Sequence, residues 1–206
     1  MNTGPLLLVP LRLEALAARA GARHVEVERI GFGPVRATAT RERVTRERRA
    51  GQPLVLLGVC GALRAGLAPG TVVLGTSVAL RGSAEVLRLD DPRPAAALLR
   101  SVGLEVRTAP IVSSPRLISG ESERVAAAEQ GLVVDMESFW CAPLATRHPL
   151  IVCRVVFDTP GRELRSLSTP FAVGRAWRSL VRAARALSAW PSGTLEIKPL
   201  LGVGDR

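Results

Sequence analysis

Short apolar runs alternate with amphipathic stretches along the whole chain. Leu6-Leu7-Leu8-Val9 is fully apolar and predicts a buried strand, which Pro10 stops. Leu11 to Ala20 has helical spacing and runs up to Gly21. Val25 to Ile30 alternates, predicting a half-exposed strand. A Gly31-Phe32-Gly33-Pro34 turn and an arginine-rich, exposed helix over Val35 to Arg49 follow. Leu54 to Leu57 reads as a second buried strand, with a turn of small residues over Gly58 to Leu63. A further turn over Gly66 to Gly70 leads to a strand at Thr71 to Leu74. Asp90-Asp91-Pro92 opens a turn and caps a helix over Ala95 to Ser101. A strand over Val106 to Val112 and a helix over Glu121 to Gln130 follow, then Leu132-Val133-Val134, a buried strand that ends in Asp135-Met136-Glu137. Ser138 to Arg147 predicts a helix stopped near Pro149. The strand from Ile151 to Phe157 ends on Asp158, with a tight Thr159-to-Arg162 loop behind it. Phe171 to Trp190 is an amphipathic helix, with Arg175, Arg178, Arg182 and Arg185 on one face and Val173, Trp177, Leu180, Val181, Ala184 and Leu187 on the other. Residues 191–206 read as a tail. Strands alternating with helices predict an α/β sandwich, a mixed central sheet with helices on both faces. With no repeat or linker, residues 1–206 are expected to form one domain.

Two of these strands end abruptly in acids. In an open α/β sheet, ligands sit just beyond the carboxyl ends of the strands. A glutamate placed there, Glu137, can accept two hydrogen bonds from a vicinal diol such as that of a ribose. Met136 beside it offers an adaptable apolar face.

Composition narrows the classes. The chain has 206 residues, 47% of them apolar, enough for a substantial core, and no long apolar run predicts a membrane span. The N-terminus has no basic segment before its apolar run, so no signal peptide is read. Three cysteines and two histidines without ligand spacing exclude an evident metal site, and a reducing cytoplasm is the simplest compartment. The net charge is +10, and every basic residue but Lys198 is arginine. That charge fits a nucleic-acid or anionic-membrane partner, and equally an arginine-rich codon bias. The absence of tyrosine and the few aromatics leave little for base stacking, which argues against nucleic acid. The basic face of the last helix fits either a solvated face or contact with a membrane surface.

Val134-Asp135-Met136-Glu137-Ser138 resembles the ribose-binding segment of the nucleoside phosphorylase and methylthioadenosine/S-adenosylhomocysteine nucleosidase superfamily. Ile151-Val152-Cys153-Arg154-Val155-Val156-Phe157-Asp158 resembles that family's strand ending in an acid, and Leu54 to Leu63 its strand and small-residue turn, in the family's order. The resemblance implies a three-layer phosphorylase/hydrolase-like fold, a homodimer or higher oligomer, and a small-molecule nucleoside as ligand. It gives Glu137 the ribose hydroxyls, Met136 the sugar face, and Asp158 the leaving purine base, a role that asks burial to hold its proton. It lines the sugar and any anion with Cys60 and Gly61, and the base with the segment ending at Ile118. In the hydrolytic members, a glutamate placed like Glu14 activates the attacking water.

Glu14 has two readings, a solvated glutamate complementing a helix N-terminus or that base, which the helix would keep ionised. Phosphate is the alternative acceptor and the one candidate co-substrate, no cofactor being expected. The phosphorylase glycine-acid-proline-arginine loop is absent, although Arg12, Arg41 or Arg43 could supply an anion site. Phe157 stands where the family commonly has serine, and Pro160-Gly161 changes the loop after it, which opens the choice of base. Some members of the superfamily remove adenine from an adenosylated hopanoid lipid and others hydrolyse futalosine. A nucleoside-binding relative without turnover is the non-enzyme alternative. Cys60 is read as a small buried residue rather than a catalytic thiol, since no base is evident beside it.

Overall fold

A computed structural model describes residues 4–118, 120–160 and 169–190. The N-terminal residues before Gly4, the Gly161-Arg162 end of the expected loop and the tail from Pro191 lie outside the described residues. The expected alternation is present. β1 (Leu6–Val9) is buried along its whole length and lies parallel between β2 (Val27–Arg29) and β3 (Leu54–Ala62). A strand covered on both faces has to be apolar at every position, which is why it reads as a run rather than an alternation.

The remaining strands are β4 (Val72–Leu80), β5 (Val86–Arg88), β6 (Val106–Ser113), β7 (Val133–Asp135) and β8 (Leu150–Asp158). β8 runs parallel to β3 on one side and antiparallel to β4 on the other. β6 is parallel to β4 and to β7, and β7 pairs antiparallel with the end of β3. The eight-stranded mixed sheet therefore curls until β3, β8, β4, β6 and β7 form a closed ring, with β1, β2 and β5 outside it. On one face pack α1 (Arg12–Gly21), α3 (Arg93–Ser101) and α6 (Thr169–Leu187). On the other pack α2 (Pro34–Glu47), α5 (Ser138–Cys141) and a 3-10 turn over Ala142–Thr146. α4 (Glu121–Ala128) covers a smaller cluster of Leu63, Val112 and Ile118. The arginine row of α6 is exposed and its Ala176, Leu180, Ala184 and Leu187 are buried, as the periodicity requires.

Four expectations are corrected. β3 does not turn at Gly58 but continues to Ala62. Its glycines are strand positions where other side chains approach the backbone. β4 likewise runs six residues beyond Leu74. The Ser138 helix lasts one turn and passes into a 3-10 turn, because Pro143 lacks the N–H an α-helix needs. The aspartate pair divides its work: Asp91 accepts from Arg93 N at 3.0 Å, while Asp90 accepts from Leu150 N at 2.9 Å and anchors the start of β8. Among the described residues, no helix is long and apolar enough to cross a membrane.

α1 meets α6 at Gly21, where a Cβ would fall onto the Val181 carbonyl oxygen. Gly21→Ala should therefore destabilise the protein by about 1–3 kcal/mol, the usual range for overpacking. Denaturant unfolding measures it. An unchanged midpoint would mean that the two helices have room to part at no cost.

Candidate functional site

Beyond the carboxyl ends of β1, β3, β7 and β8 lies a cavity of about 480 Å³. Glu14, Cys60, Gly61, Ile118, Met136, Glu137, Phe157 and Asp158 all line it, and Ala176, Trp177 and Leu180 of α6 form a wall. Ring closure brings these strand ends together, since Gly61 pairs with Val134 on one side and Asp158 on the other. The β3–β8 register slips there: Cys60 pairs with Val156 and Gly61 with Asp158, leaving Phe157 as the extra residue of a bulge. A bulge re-aims the side chains around it, and here Phe157 and Asp158 both reach the cavity.

One end of the cavity is acidic and built around Arg154, a residue with none of its surface exposed. Its Nε lies 2.6 Å from Asp135 Oδ2, its Nη2 donates to Ser138 Oγ at 2.9 Å, and Nη2 is 3.8 Å from Glu137 Oε2. Nη1 is buried beside Gly58 and has no hydrogen-bond partner among the described residues. Asp135 also accepts from Ser113 Oγ at 2.5 Å and from the Ser138 hydroxyl, so it serves as the counter-ion of Arg154. Glu137 Oε1 accepts from Gly33 N at 2.9 Å, which leaves Oε2 as its less committed oxygen. Burial pushes the Glu137 carboxyl up to about 7, against the pull of Arg154, and nearby Asp135 adds to the rise.

Glu14 is not solvated. It is 2% exposed, with Oε1 accepting from Val59 N at 2.7 Å and Oε2 from Leu11 N at 2.6 Å. The helix terminus was expected to keep it ionised, but burial raises its pKa despite those two backbone donors and Arg154. The Cys60 thiol is pushed well above its ordinary range by burial, consistent with an inert packing residue.

Asp158 lines the same cavity outside this cluster. Arg124 of α4 reaches across to ion-pair with the Asp158 carboxylate through Nη2 while Nη1 donates to Ala62 O at 2.7 Å. A Cβ on Gly61 would stand 2.8 Å from Asp158 Oδ1, so only glycine permits this approach. Neither Arg124 nor Arg154 was singled out from the sequence. Arg154 did carry a signal, a lone charge inside an apolar strand, which has to find partners. Arg124 carried none, since an arginine on a short polar helix looks like surface.

The cavity mouth is apolar. Leu11, Leu13, Phe32 and Leu117 line it and are 37–60% exposed. Arg12, Arg41 and Arg43, the arginines considered for an anion site, do not line it, and Arg43 is ion-paired with Glu28.

Known structures share this architecture. The 5′-methylthioadenosine/S-adenosyl homocysteine nucleosidase of Campylobacter jejuni superposes with a TM-score of 0.75 at 16% identity, over 88% of this chain and 97% of that one. The corresponding Neisseria meningitidis enzyme, in complex with methylthio-immucillin-A, gives 0.74 at 19% identity over 89% and 97%. A futalosine hydrolase mutant from Helicobacter pylori gives 0.74 at 14% over 89% and 97%. At such identities the likeness is one of fold. No curated protein sequence matches the chain. Residues 12–187 match the Phosphorylase superfamily, and with most of its length so matched the chain belongs to that family.

Proposed function

We propose that this protein cleaves the N-glycosidic bond of a purine nucleoside and that water is the acceptor. The observation that carries the reading is one cavity lined by Glu14, Met136 and Glu137 together with Asp158. Its volume of about 480 Å³ is in the range of small-molecule sites. Glu137, with Oε2 turned to the ligand, accepts from the ribose hydroxyls, and Met136 lies against the sugar. Asp158 faces the departing base and donates to its ring nitrogen. Oδ1 is the oxygen that Arg124 leaves free for that contact.

Water is favoured by electrostatics. The acceptor end gathers Glu14, Glu137 and Asp135 around one guanidinium, and a further anion would be repelled there. A neutral water can donate to Glu14 without that repulsion. Because burial raises the Glu14 pKa, its proton affinity lies closer to neutrality, where a general base works best. The apolar mouth favours a nucleoside with an apolar 5′ substituent, up to a lipid-linked one.

Three outcomes test this. Mass spectrometry of a nucleoside panel in phosphate-free buffer should find free base and free sugar, at a rate that added phosphate leaves unchanged, and Glu14→Gln should abolish it. Turnover that needs phosphate and yields a sugar 1-phosphate would reassign the reaction as phosphorolysis, and ligand binding with no base release would make the protein a binding relative. Asp158→Asn should slow base release by ~10²–10⁴-fold in a protein whose circular dichroism is unaltered. Near-normal turnover would remove Asp158 from the chemistry. Finally, Glu14 and Glu137 both act as carboxylates, and burial raises both. kcat/KM should therefore fall as the pH drops through about 7, the value to which Glu137 is pushed. A profile flat down to pH ~5 would mean that neither carboxylate needs to be charged.

A further inference from the structure

The helices on one face of the sheet carry charge of a single sign. α1 holds Arg12 and Arg19, and α3 holds Arg93 and Arg100. α6 holds Arg175, Arg178, Arg182 and Arg185. All eight are exposed, and the one acid in these three helices is Glu14, which is buried. The acids at the border of this face, Asp91 and Glu105, are ion-paired with Arg93 and Arg107. The other layer differs. α2 mixes its arginines with Glu42 and Glu47, and Arg43 and Arg46 pair with Glu47. An arginine-rich codon bias would enrich both layers in arginine, but it does not clear acids from one of them.

We propose that the outer face of the α1, α3 and α6 layer docks on an anionic lipid bilayer, with the cavity mouth at the edge of the contact. Three observations favour that partner. Basic side chains next to a membrane are attracted by its anionic headgroups. Arg175, Arg178 and Arg182 line a recess of about 510 Å³, room for a headgroup phosphate. Between Arg12 and Arg19, Leu13 and Leu16 are 52% and 57% exposed and stand one turn apart on α1, so an apolar pair sits among the charges as interfacial helices require. Leu13 also lines the cavity, which ties this face to the mouth. A nucleic acid would find no tyrosine and few aromatics to stack on. A second copy of the chain docked here about a two-fold axis would set arginines against arginines. The docking stands apart from the reaction proposed above.

The experiment is co-sedimentation of the whole protein with vesicles of phosphatidylcholine alone, or with about one third phosphatidylglycerol, read beside circular dichroism. The parent should bind the anionic vesicles at least ~100-fold more tightly, and ~0.5 M salt should release it by shortening the Debye length to about 4 Å. R175Q/R178Q/R185Q leaves Arg182 on the Val102 carbonyl oxygen. That variant should weaken binding ~100-fold, at ~5-fold per arginine, and R178Q alone, at ~5-fold, serves where the triple substitution does not fold. R46Q/R49Q/R147Q, which removes as much charge from the α2 side, should change binding by no more than ~2-fold. Failure to bind anionic vesicles, equal binding to neutral ones, or equal weakening by the two triple substitutions overturns the proposal. So does binding of single-stranded RNA without vesicle binding, which would make the face a nucleic-acid surface. A dimer in analytical ultracentrifugation that R175Q/R178Q/R185Q dissociates would make it a self-contact and overturn the proposal as well.

Discussion

A guanidinium with no exposed surface sits in the middle of β8, and much of the site is arranged around it. Taking such a charge out of water costs several kcal/mol unless partners surround it, and removing one partner from a buried pair typically costs about 3–5 kcal/mol. Arg154 constrains its neighbours accordingly. Asp135 has to end β7 where it can face Nε, Ser138 has to offer its hydroxyl at the first turn of α5, and Gly58 of β3 has to lack a side chain where Nη1 lies. Acids crowded around one cation then share a small volume of low dielectric. The burial that makes the cluster expensive also lifts Glu14 and Glu137 toward neutral pH.

The second constraint is geometric. A flat sheet would leave the ends of β7 and β8 on separate strands, but the closed ring puts both against Gly61. The bulge at Phe157 then shifts Asp158 by one register, so that the acid at the end of an otherwise buried strand faces the ligand space instead of pairing away from it. Phe157 in place of a small polar residue fits this geometry, since it packs partly against the core beneath α6 while lining the cavity.

What was legible in the sequence follows from range. Leu6–Val9, Val133–Asp135 and Leu150–Asp158 are buried strands whose signal is local, an apolar run with an abrupt polar end, and the acids at those ends were readable for the same reason. The length of β3 was hidden because Gly58 and Gly61 mimic a turn. Their meaning lies in Arg154 and Asp158, roughly a hundred residues away in the chain. The short α5 could have been read from Pro143 alone. β5 has three residues on a sheet edge, too short for a periodicity to appear. The ion pair between Arg124 and Asp158 joins positions 34 residues apart through a helix that otherwise looks solvated, and nothing local marks it.

Charge is distributed unequally along the cavity, and that inequality orders the chemistry proposed for it. At the acceptor end, the carboxylates Glu14, Glu137 and Asp135 outnumber Arg154. This suits a sugar that becomes cationic as its bond to the base breaks, and disfavours an anionic nucleophile. At the base end the balance reverses, with Arg124 set against Asp158 and Arg116 beyond it, which suits a leaving group gathering negative charge. Bond cleavage moves electrons from sugar to base, so a field that is negative around the sugar and less so around the base favours the transition state over the bound substrate. The two buried arginines therefore act differently. Arg154 is enclosed by acids and holds them in place, whereas Arg124 has one acid and one carbonyl and ties Asp158 to the end of β3.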